Sequence, residues 1–249
     1  MRIFRAAVLA FVAVAAVGCG SGGRLFRQYE YEEDVYLSLD GTATVYVNTS
    51  IAALDALRGA AFNANPRVRI DRDGVRSFYT TPFTRVTAIN ESRRSGRRFV
   101  HVRLDVEDIR RLGETGPFAW SSYDFRREAD LYAYRQSIGA GPAKDVGDVG
   151  WSGREFVAFR LHLPSKITYH NIAADFRRGN ILVLEQPLSE RLKGVPLTLD
   201  ANMQTQSILY SALALFGATG LAVALMFAVV IVWVRRSGTR GAGQASGAG

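Results

Sequence analysis

The segment 208–234 is uncharged and almost wholly apolar, and it constrains the fold more than any other feature of the sequence. As an α-helix it would be about 40 Å long, whereas the hydrocarbon core of a bilayer is about 30 Å thick. Tyr210 and Trp233 stand near its two ends, and Arg235 and Arg236 follow it. We therefore predict a single transmembrane helix over 207–234, followed by a disordered, glycine-rich tail over 235–249.

The first residues have the pattern of a bacterial export signal. Two arginines precede an apolar stretch, 6–17, that is too short to span a bilayer comfortably. Small residues at 16–18 then precede Cys19, the only cysteine, as they do in a lipobox. We predict a lipoprotein signal peptide over 1–18 and lipidation of Cys19; ordinary cleavage after the small residues at 13–15 is the alternative.

The two hydrophobic segments indicate one topology. Basic residues that follow a span stay in the cytoplasm, so the C-terminus is expected there and the body, 19–206, outside, at the inner membrane of a bacterium. A lipid on Cys19 and a helix beginning near residue 208 would hold the body at one membrane face. We therefore expect both ends of the body to emerge on the same side.

The formal charge of +8 arises mainly outside the body. Two of the 31 basic residues precede residue 6 and three follow residue 234, which leaves 26 basic against 23 acidic side chains between them. A nearly neutral, exported body is not expected to bind nucleic acid.

Alternating apolar and polar residues indicate antiparallel strands in the body. Asp40-Gly41 and Ser95-Gly96 are the predicted turns of two hairpins, and Ser50 and Asp71 precede two short predicted helices. Further strands are predicted over 118–125, 130–138, 156–163, 166–170, 180–185 and 195–203. The predicted class is α+β: one antiparallel sheet with two or three short helices on one face, plus the C-terminal transmembrane helix.

Motifs for catalysis and metal binding are hard to find. His101, His162 and His170 do not have the spacing of a zinc helix, although His162 and His170 could approach each other across neighbouring strands. The sequence "GWSGR" has the wrong glycine spacing for a nucleophile elbow. We predict no catalytic residue, no metal and no cofactor, and hence a protein that is not an enzyme.

Two sets of side chains are candidates for ligand binding. Trp120, Tyr123 and Phe125 are close in sequence and could line a cavity for an acyl chain, or they could fill the core of a sheet. Trp151 lies in the glycine-rich segment 139–154, which we predict to be a mobile loop; there it could pack on the core, meet the membrane interface or close over a ligand.

Arginines form the second set. Arg93, Arg94, Arg97 and Arg98 surround the predicted turn at Ser95-Gly96 and could bind lipid headgroups, because a guanidinium binds phosphate in a bidentate manner. Solubility of a hairpin turn is the alternative explanation.

Small residues recur every fourth position in the predicted transmembrane helix, at Ala214, Ala218 and Ala222. This spacing lets two helices approach closely, so a second copy of the chain could bind through this helix to form a homodimer. Composition alone also explains it, since alanine is common in such helices.

The order of parts resembles the LppM-type family of actinobacterial and related envelope lipoproteins. The resemblance is carried by "DGTATVYVN" after the first strand and by "GNILVLEQPLSERLKGVPL" before the membrane helix. It implies a mixed α+β envelope protein that binds a lipid or glycolipid, and it supplies no catalytic residues. We therefore expect a non-catalytic, membrane-anchored domain that binds an amphipathic lipid, a glycolipid or an envelope protein; an envelope-directed hydrolase or transferase and a structural assembly factor are the alternatives.

The signal prediction can be tested by intact-mass analysis of the mature protein. We expect a chain that begins at Cys19 and carries the added mass of a lipid, because the acyl transfer needs this thiol. The substitution Cys19→Ala should abolish both the added mass and cleavage at this position. An unmodified wild-type chain that begins before or after Cys19 would contradict the prediction.

Overall fold

Two β-sheets form the body of the chain. The structure is a computed structural model that describes residues 27–241, so Cys19 and the predicted signal peptide over 1–18 lie outside the described residues. One sheet, sheet A, has the strand order β3-β4-β2-β1-β7-β10-β9, and the other, sheet B, has the order β5-β6-β11-β8. The strands are β1 Gln28–Leu37, β2 Ala43–Ser50, β3 Thr84–Arg94, β4 Arg97–Val106, β5 Ser121–Glu128, β6 Leu131–Ile138, β7 Glu155–His162, β8 Ser165–His170, β9 Arg177–Arg178, β10 Ile181–Pro187 and β11 Leu197–Ser207.

Short helices connect these strands. The α-helices are α1 Ile51–Arg58, α2 Arg72–Tyr79, α3 Leu188–Leu192 and α4 Ile208–Gly241, and 3-10 helices cover Ile109–Glu114, Gly116–Phe118 and Ala174–Phe176. The start of α1 is determined locally, because the Ser50 hydroxyl accepts a hydrogen bond from the backbone N–H of Ala53 at 3.1 Å. Its end is also determined locally, since Gly59 adopts φ +69° as the C-cap. The predictions for α1 and α2 are confirmed.

The α+β class is confirmed, but the prediction of one antiparallel sheet is wrong in two respects. First, β1 pairs with β7 in parallel, so sheet A is mixed. Second, the β5–β6 hairpin joins β11 and β8 instead of sheet A. The cause is that the hairpin has an apolar inner face of its own, which includes Tyr123, Phe125 and Tyr134, and this face packs on sheet A in one continuous core.

Helix α4 follows β11 directly, because Ser207 ends the strand and Ile208 begins the helix. Its segment Leu213–Trp233 has a mean hydropathy of 2.5 and is not buried, so α4 is long and apolar enough to cross a membrane. The helix continues to Gly241, seven residues beyond its predicted end. The part of the predicted disordered tail that the structure describes, up to Gly241, is therefore helical.

The start of β1 and the start of α4 lie far apart. Residues 19–26 are outside the described residues, so the expectation that both ends of the body emerge on the same side stays a prediction. Gln28 at the start of β1 pairs with Glu155, and the parallel strand β7 then runs to His162. Three residues later, Ser165 pairs with Ser207, the last residue before α4. The start of β1 and the start of α4 are thus separated by the length of a strand, about 25 Å.

The tight approach of residue 141 to α1 gives a stability test. A Cβ atom added to Gly141 would lie 2.5 Å from the Leu57 carbonyl oxygen and 3.2 Å from the Trp120 ring. We expect Gly141→Ala to destabilise the full chain by about 1–3 kcal/mol, because backbone must move to relieve the overlap. The measurement is chemical denaturation in a nonionic detergent.

Gly116→Ala is the matched control, since a Cβ atom at Gly116 would meet nothing within 4 Å. Its free energy of unfolding should stay within about 0.5 kcal/mol of the wild-type value. Equal effects of the two substitutions would contradict the packing described for residue 141.

Candidate functional site

Trp120 separates two surface pockets at the end of sheet B. It directly precedes β5, and its carbonyl oxygen accepts a hydrogen bond from the Gly139 N–H at 2.6 Å. One pocket, which we call the proline pocket, has a volume of about 340 Å³ and is lined by Leu57, Arg58, Gly116, Pro117, Ala119, Trp120, Ala140, Gly141 and Pro142. The other, the serine pocket, has a volume of about 570 Å³ and is lined by Arg110, Gly113, Glu114, Ala119, Trp120, Ser121, Ser122, Tyr123, Ser137 and Gly139. We call this region the Trp120 site.

Arg58 supplies a positive charge to the wall of the proline pocket. It is the last residue of α1, and its guanidinium carbon lies 3.7 Å from the centroid of the Trp120 ring. Nη1 donates to the carbonyl oxygen of Pro117 at 2.6 Å, and Nη2 donates to Glu33 and to the Tyr31 hydroxyl. The stacking and the hydrogen bonds together fix the plane of the tryptophan ring.

Glu33 balances the charge of Arg58. Both of its oxygens accept further hydrogen bonds, from the Tyr31 hydroxyl at 2.8 Å and from the Tyr123 hydroxyl at 3.1 Å. Burial raises the pKa of Tyr31 and of Tyr123 well above the ordinary value, so both hydroxyls keep their protons at neutral pH. For Arg58, burial acts to lower the pKa but Tyr31 and Glu33 raise it, and the net shift is upward. Arg58 therefore keeps its positive charge.

Arg191 is a second buried guanidinium beside Trp120. Its side chain belongs to α3, is 1% exposed and lies 5.4 Å from the Trp120 ring centroid. Nη2 donates to the Gly139 carbonyl oxygen at 2.5 Å, but Nε and Nη1 have no partner, and no carboxylate of the described residues forms an ion pair with this side chain. Burial, followed by the neighbouring Arg58, lowers the pKa of Arg191.

The free energies of the contacts show that the buried charge of Arg191 is not compensated. A hydrogen bond from a charged group contributes about 1.5–3 kcal/mol and a cation–π contact about 0.5–2 kcal/mol. Removing an ion from water costs several kcal/mol, and each buried N–H without an acceptor adds about 1–3 kcal/mol. The contacts of Arg191 with Trp120 and Gly139 do not offset both costs.

The structure places the predicted ligand-binding residues in different environments. Trp120 is 8% exposed, and it and Tyr123 line the Trp120 site from within the core. Phe125 is buried and stacks on Tyr132 with centroids 5.1 Å apart. Trp151 lies elsewhere, in the described loop 139–154, where its indole N–H donates to Glu30 at 3.2 Å. It packs against the core and not beside Trp120.

The four predicted headgroup-binding arginines do not form a free basic cluster. Arg97 is buried, and its Nη2 donates to Glu30 at 2.8 Å, so it is not available to a headgroup. Arg93 and Arg98 both donate to the Pro66 carbonyl oxygen at 2.8 Å, and Arg94 lies over the Phe99 ring. Arg97 and Arg98 also line a separate pocket of about 580 Å³ next to residues 146–150.

The turn that carries the four arginines lies far from the predicted membrane span. The turn that carries them is at the end of β4 opposite Val106, and Val106 pairs with Ala43 near the β1–β2 turn. The β1–β2 turn lies at the same end of sheet A as His162, the last residue of β7. The next strand, β8, begins beside Ser207, which directly precedes α4. The arginines are therefore at the end of sheet A that is remote from the predicted span.

The histidines have separate environments. His101 bonds to Asn48 at 2.8 Å and to Ser92 at 2.7 Å, and burial lowers its pKa. His162 stacks on Tyr36 with ring centroids 3.8 Å apart. His162 and His170 belong to different sheets, so they are not the neighbouring-strand pair that the sequence suggested. Within residues 27–241, no group of three potential metal ligands is found.

Sequence reasoning missed the charged members of the site, Glu33, Arg58 and Arg191. For two of them a signal existed. Glu33 lies between Tyr31 and Val35 on the face of β1 that points to the core, and Arg58 is four residues after Leu54 on the apolar side of α1. A charge at a position that the hydrophobic period assigns to the core indicates a buried polar contact.

The Glu33–Arg58 pair can be tested by a double-mutant cycle. Glu33→Gln should destabilise the full chain by about 3–5 kcal/mol, because it leaves the Arg58 charge buried and unpaired. Adding Arg58→Met should recover part of that loss, since no charge then remains at this position. The measurement is the free energy of unfolding in denaturant; strictly additive effects would contradict direct coupling.

Comparison with known proteins gives a distant structural likeness. No protein-family model matches the chain, and no curated protein matches it. Among solved structures, the NMR structure of the folded domain of LppM from Mycobacterium tuberculosis is similar to this chain, with 12% sequence identity and a TM-score of 0.38. The match covers 72% of this chain and 92% of that chain. A likeness at this level leaves the function to be argued from the chain's own residues.

Proposed function

We propose that this protein is a membrane-anchored binding protein whose body holds an amphipathic lipid at the Trp120 site. The observation that carries the proposal is the position of Trp120 between two pockets, with the Arg58 guanidinium stacked on the ring and lining the proline pocket. Both pockets have volumes within the range of small-molecule sites, about 300–1,000 Å³. Leucine, proline, alanine and tryptophan side chains supply apolar contact in the proline pocket, and the Arg58 guanidinium favours the polar end of a ligand.

Helix α4 is the anchor in this proposal. The apolar segment Leu213–Trp233 meets the requirements of length and hydropathy for a span. Arg235 and Arg236 follow it, so we place the C-terminus in the cytoplasm and the body outside the inner membrane of a bacterium. The bilayer is then a permanent partner of the chain.

The site lies away from the anchor. Leu197 at the start of β11 pairs with Ile138, next to Gly139 of the serine pocket, and Ser207 at the other end of β11 precedes α4. The length of β11 separates them by about 30 Å. We propose that a lipid bound at Trp120 has left the bilayer, as in a carrier or a receptor for released lipid.

The proposed function is non-catalytic. Glu114, which lines the serine pocket, accepts a hydrogen bond from Arg111 at 3.2 Å. Glu33, the buried carboxylate beside Trp120, accepts hydrogen bonds from Arg58, Tyr31 and Tyr123. These donors occupy the oxygens that a general base would need. The arrangement supports binding and not proton transfer.

Filling the pockets tests the proposal. Ala119 is exposed and lines both pockets, so Ala119→Trp should block them without disturbing the core. We expect native mass spectrometry of the full chain, purified in a mild detergent, to show bound lipid that this variant loses by at least fivefold. Ala173→Trp, at an exposed alanine that lines neither pocket, is the matched control and should retain the lipid. Absence of lipid, or equal amounts in both variants, would overturn the proposal.

A further inference from the structure

The buried charge of Arg191 has no partner in the part of the chain that the structure describes. Arg58, the other guanidinium beside Trp120, is paired with Glu33. Arg191 donates only to the Gly139 carbonyl oxygen, and its Nε and Nη1 remain unpartnered. The interior next to Trp120 thus contains two cations and one carboxylate.

The unpartnered groups around this charge are mainly donors. The Trp120 indole N–H is buried without an acceptor, in the ring that Arg191 contacts. Gln186 has an unpartnered amide oxygen on the strand that leads to α3, but an amide is neutral and cannot balance a guanidinium. An anion that accepts several hydrogen bonds would satisfy both the charge and the donors.

Arg191 lines neither pocket of the Trp120 site, but it contacts two residues that do. Its hydrogen-bond acceptor, Gly139, lines the serine pocket, and Ala140 and Gly141 line the proline pocket. Trp120 contacts Arg191 and lines both pockets. A polar end of a ligand in either pocket is therefore close to the unpaired charge.

We propose that Arg191 is the anion-binding residue of the Trp120 site and that it receives an oxyanion, a phosphate or a carboxylate. This inference rests on the proposed function and specifies its ligand class: the lipid bound against Trp120 carries a negatively charged headgroup. A guanidinium offers parallel N–H pairs on its Nε/Nη2 edge and on its Nη1/Nη2 edge. The donors to the oxyanion are therefore one free nitrogen of Arg191, Nε or Nη1, together with the second N–H of Nη2.

The experiment measures ligand-induced stabilisation of the full chain in a nonionic detergent. Thermal unfolding is recorded with inorganic phosphate against sodium chloride of equal ionic strength, and with phosphatidylglycerol against phosphatidylcholine in the micelles. We expect the anionic lipid to raise the Tm of the wild type and phosphatidylcholine to raise it less. Arg191→Met should weaken binding of the anionic lipid at least tenfold, and Arg191→Lys should retain part of it.

Two controls keep the test interpretable. Arg178→Met removes an exposed arginine and should respond as the wild type does. The wild type with the anionic and neutral lipids gives a comparison that does not depend on whether Arg191→Met folds. A response to phosphate as well as to lipid identifies a site for free oxyanions, whereas a response to lipid alone identifies a headgroup site.

The measurements distinguish failure of the lipid-binding function from failure of the anion-binding role of Arg191. Equal binding of both lipids, lost in Ala119→Trp but kept in Arg191→Met, overturns the role of Arg191 and leaves the proposed function standing. Stabilisation by phosphate that requires Arg191, without any lipid binding, supports the anion site and overturns the lipid function. No anion-dependent stabilisation of the wild type overturns the anion site.

Discussion

The body depends on the buried contact between Glu33 and Arg58, because it joins three parts of the fold. Glu33 is on β1 in sheet A, Arg58 ends α1, and Tyr123 of sheet B donates to the same carboxylate. Taking both charges out of water costs several kcal/mol per ion, and the Tyr31, Tyr123 and Pro117 hydrogen bonds offset that cost. Apolar side chains would tolerate small shifts between the sheets, whereas this directional network allows one arrangement.

The position of Trp120 follows from that network. The ring lies between Arg58 on α1 and Arg191 on α3 and makes an edge contact with Tyr31 of sheet A at 5.6 Å. It cannot turn without disturbing these contacts, so the wall shared by the two pockets is preorganised. A rigid aromatic wall lowers the ordering cost of binding, since the protein loses little conformational freedom when a ligand arrives.

Local features were predictable from the sequence, and long-range pairings were not. The Ser50 and Gly59 caps, the hairpin turns and the long apolar helix α4 each depend on residues close in sequence. The parallel pairing of β1 with β7 joins residues more than a hundred positions apart, and no short pattern encodes it. Among the site residues, Trp120 and Tyr123 were found because aromatic clusters are visible, whereas Arg191 sits in "LSERL", a pattern that predicts an exposed helical turn.

Under the proposed lipid function, the distance between the Trp120 site and α4 determines where the ligand is held. A domain that binds headgroups within the bilayer would have its cations near the start of α4. The Trp120 site is instead separated from the start of α4 by the length of β11. The charged turn with Arg97 and Arg98 is also remote from α4 and is occupied by Glu30 and Pro66. Continuity of β11 with α4 lets the helix hold this distance without a flexible linker. Under the proposed function, this separation argues for a ligand that is held away from the start of α4.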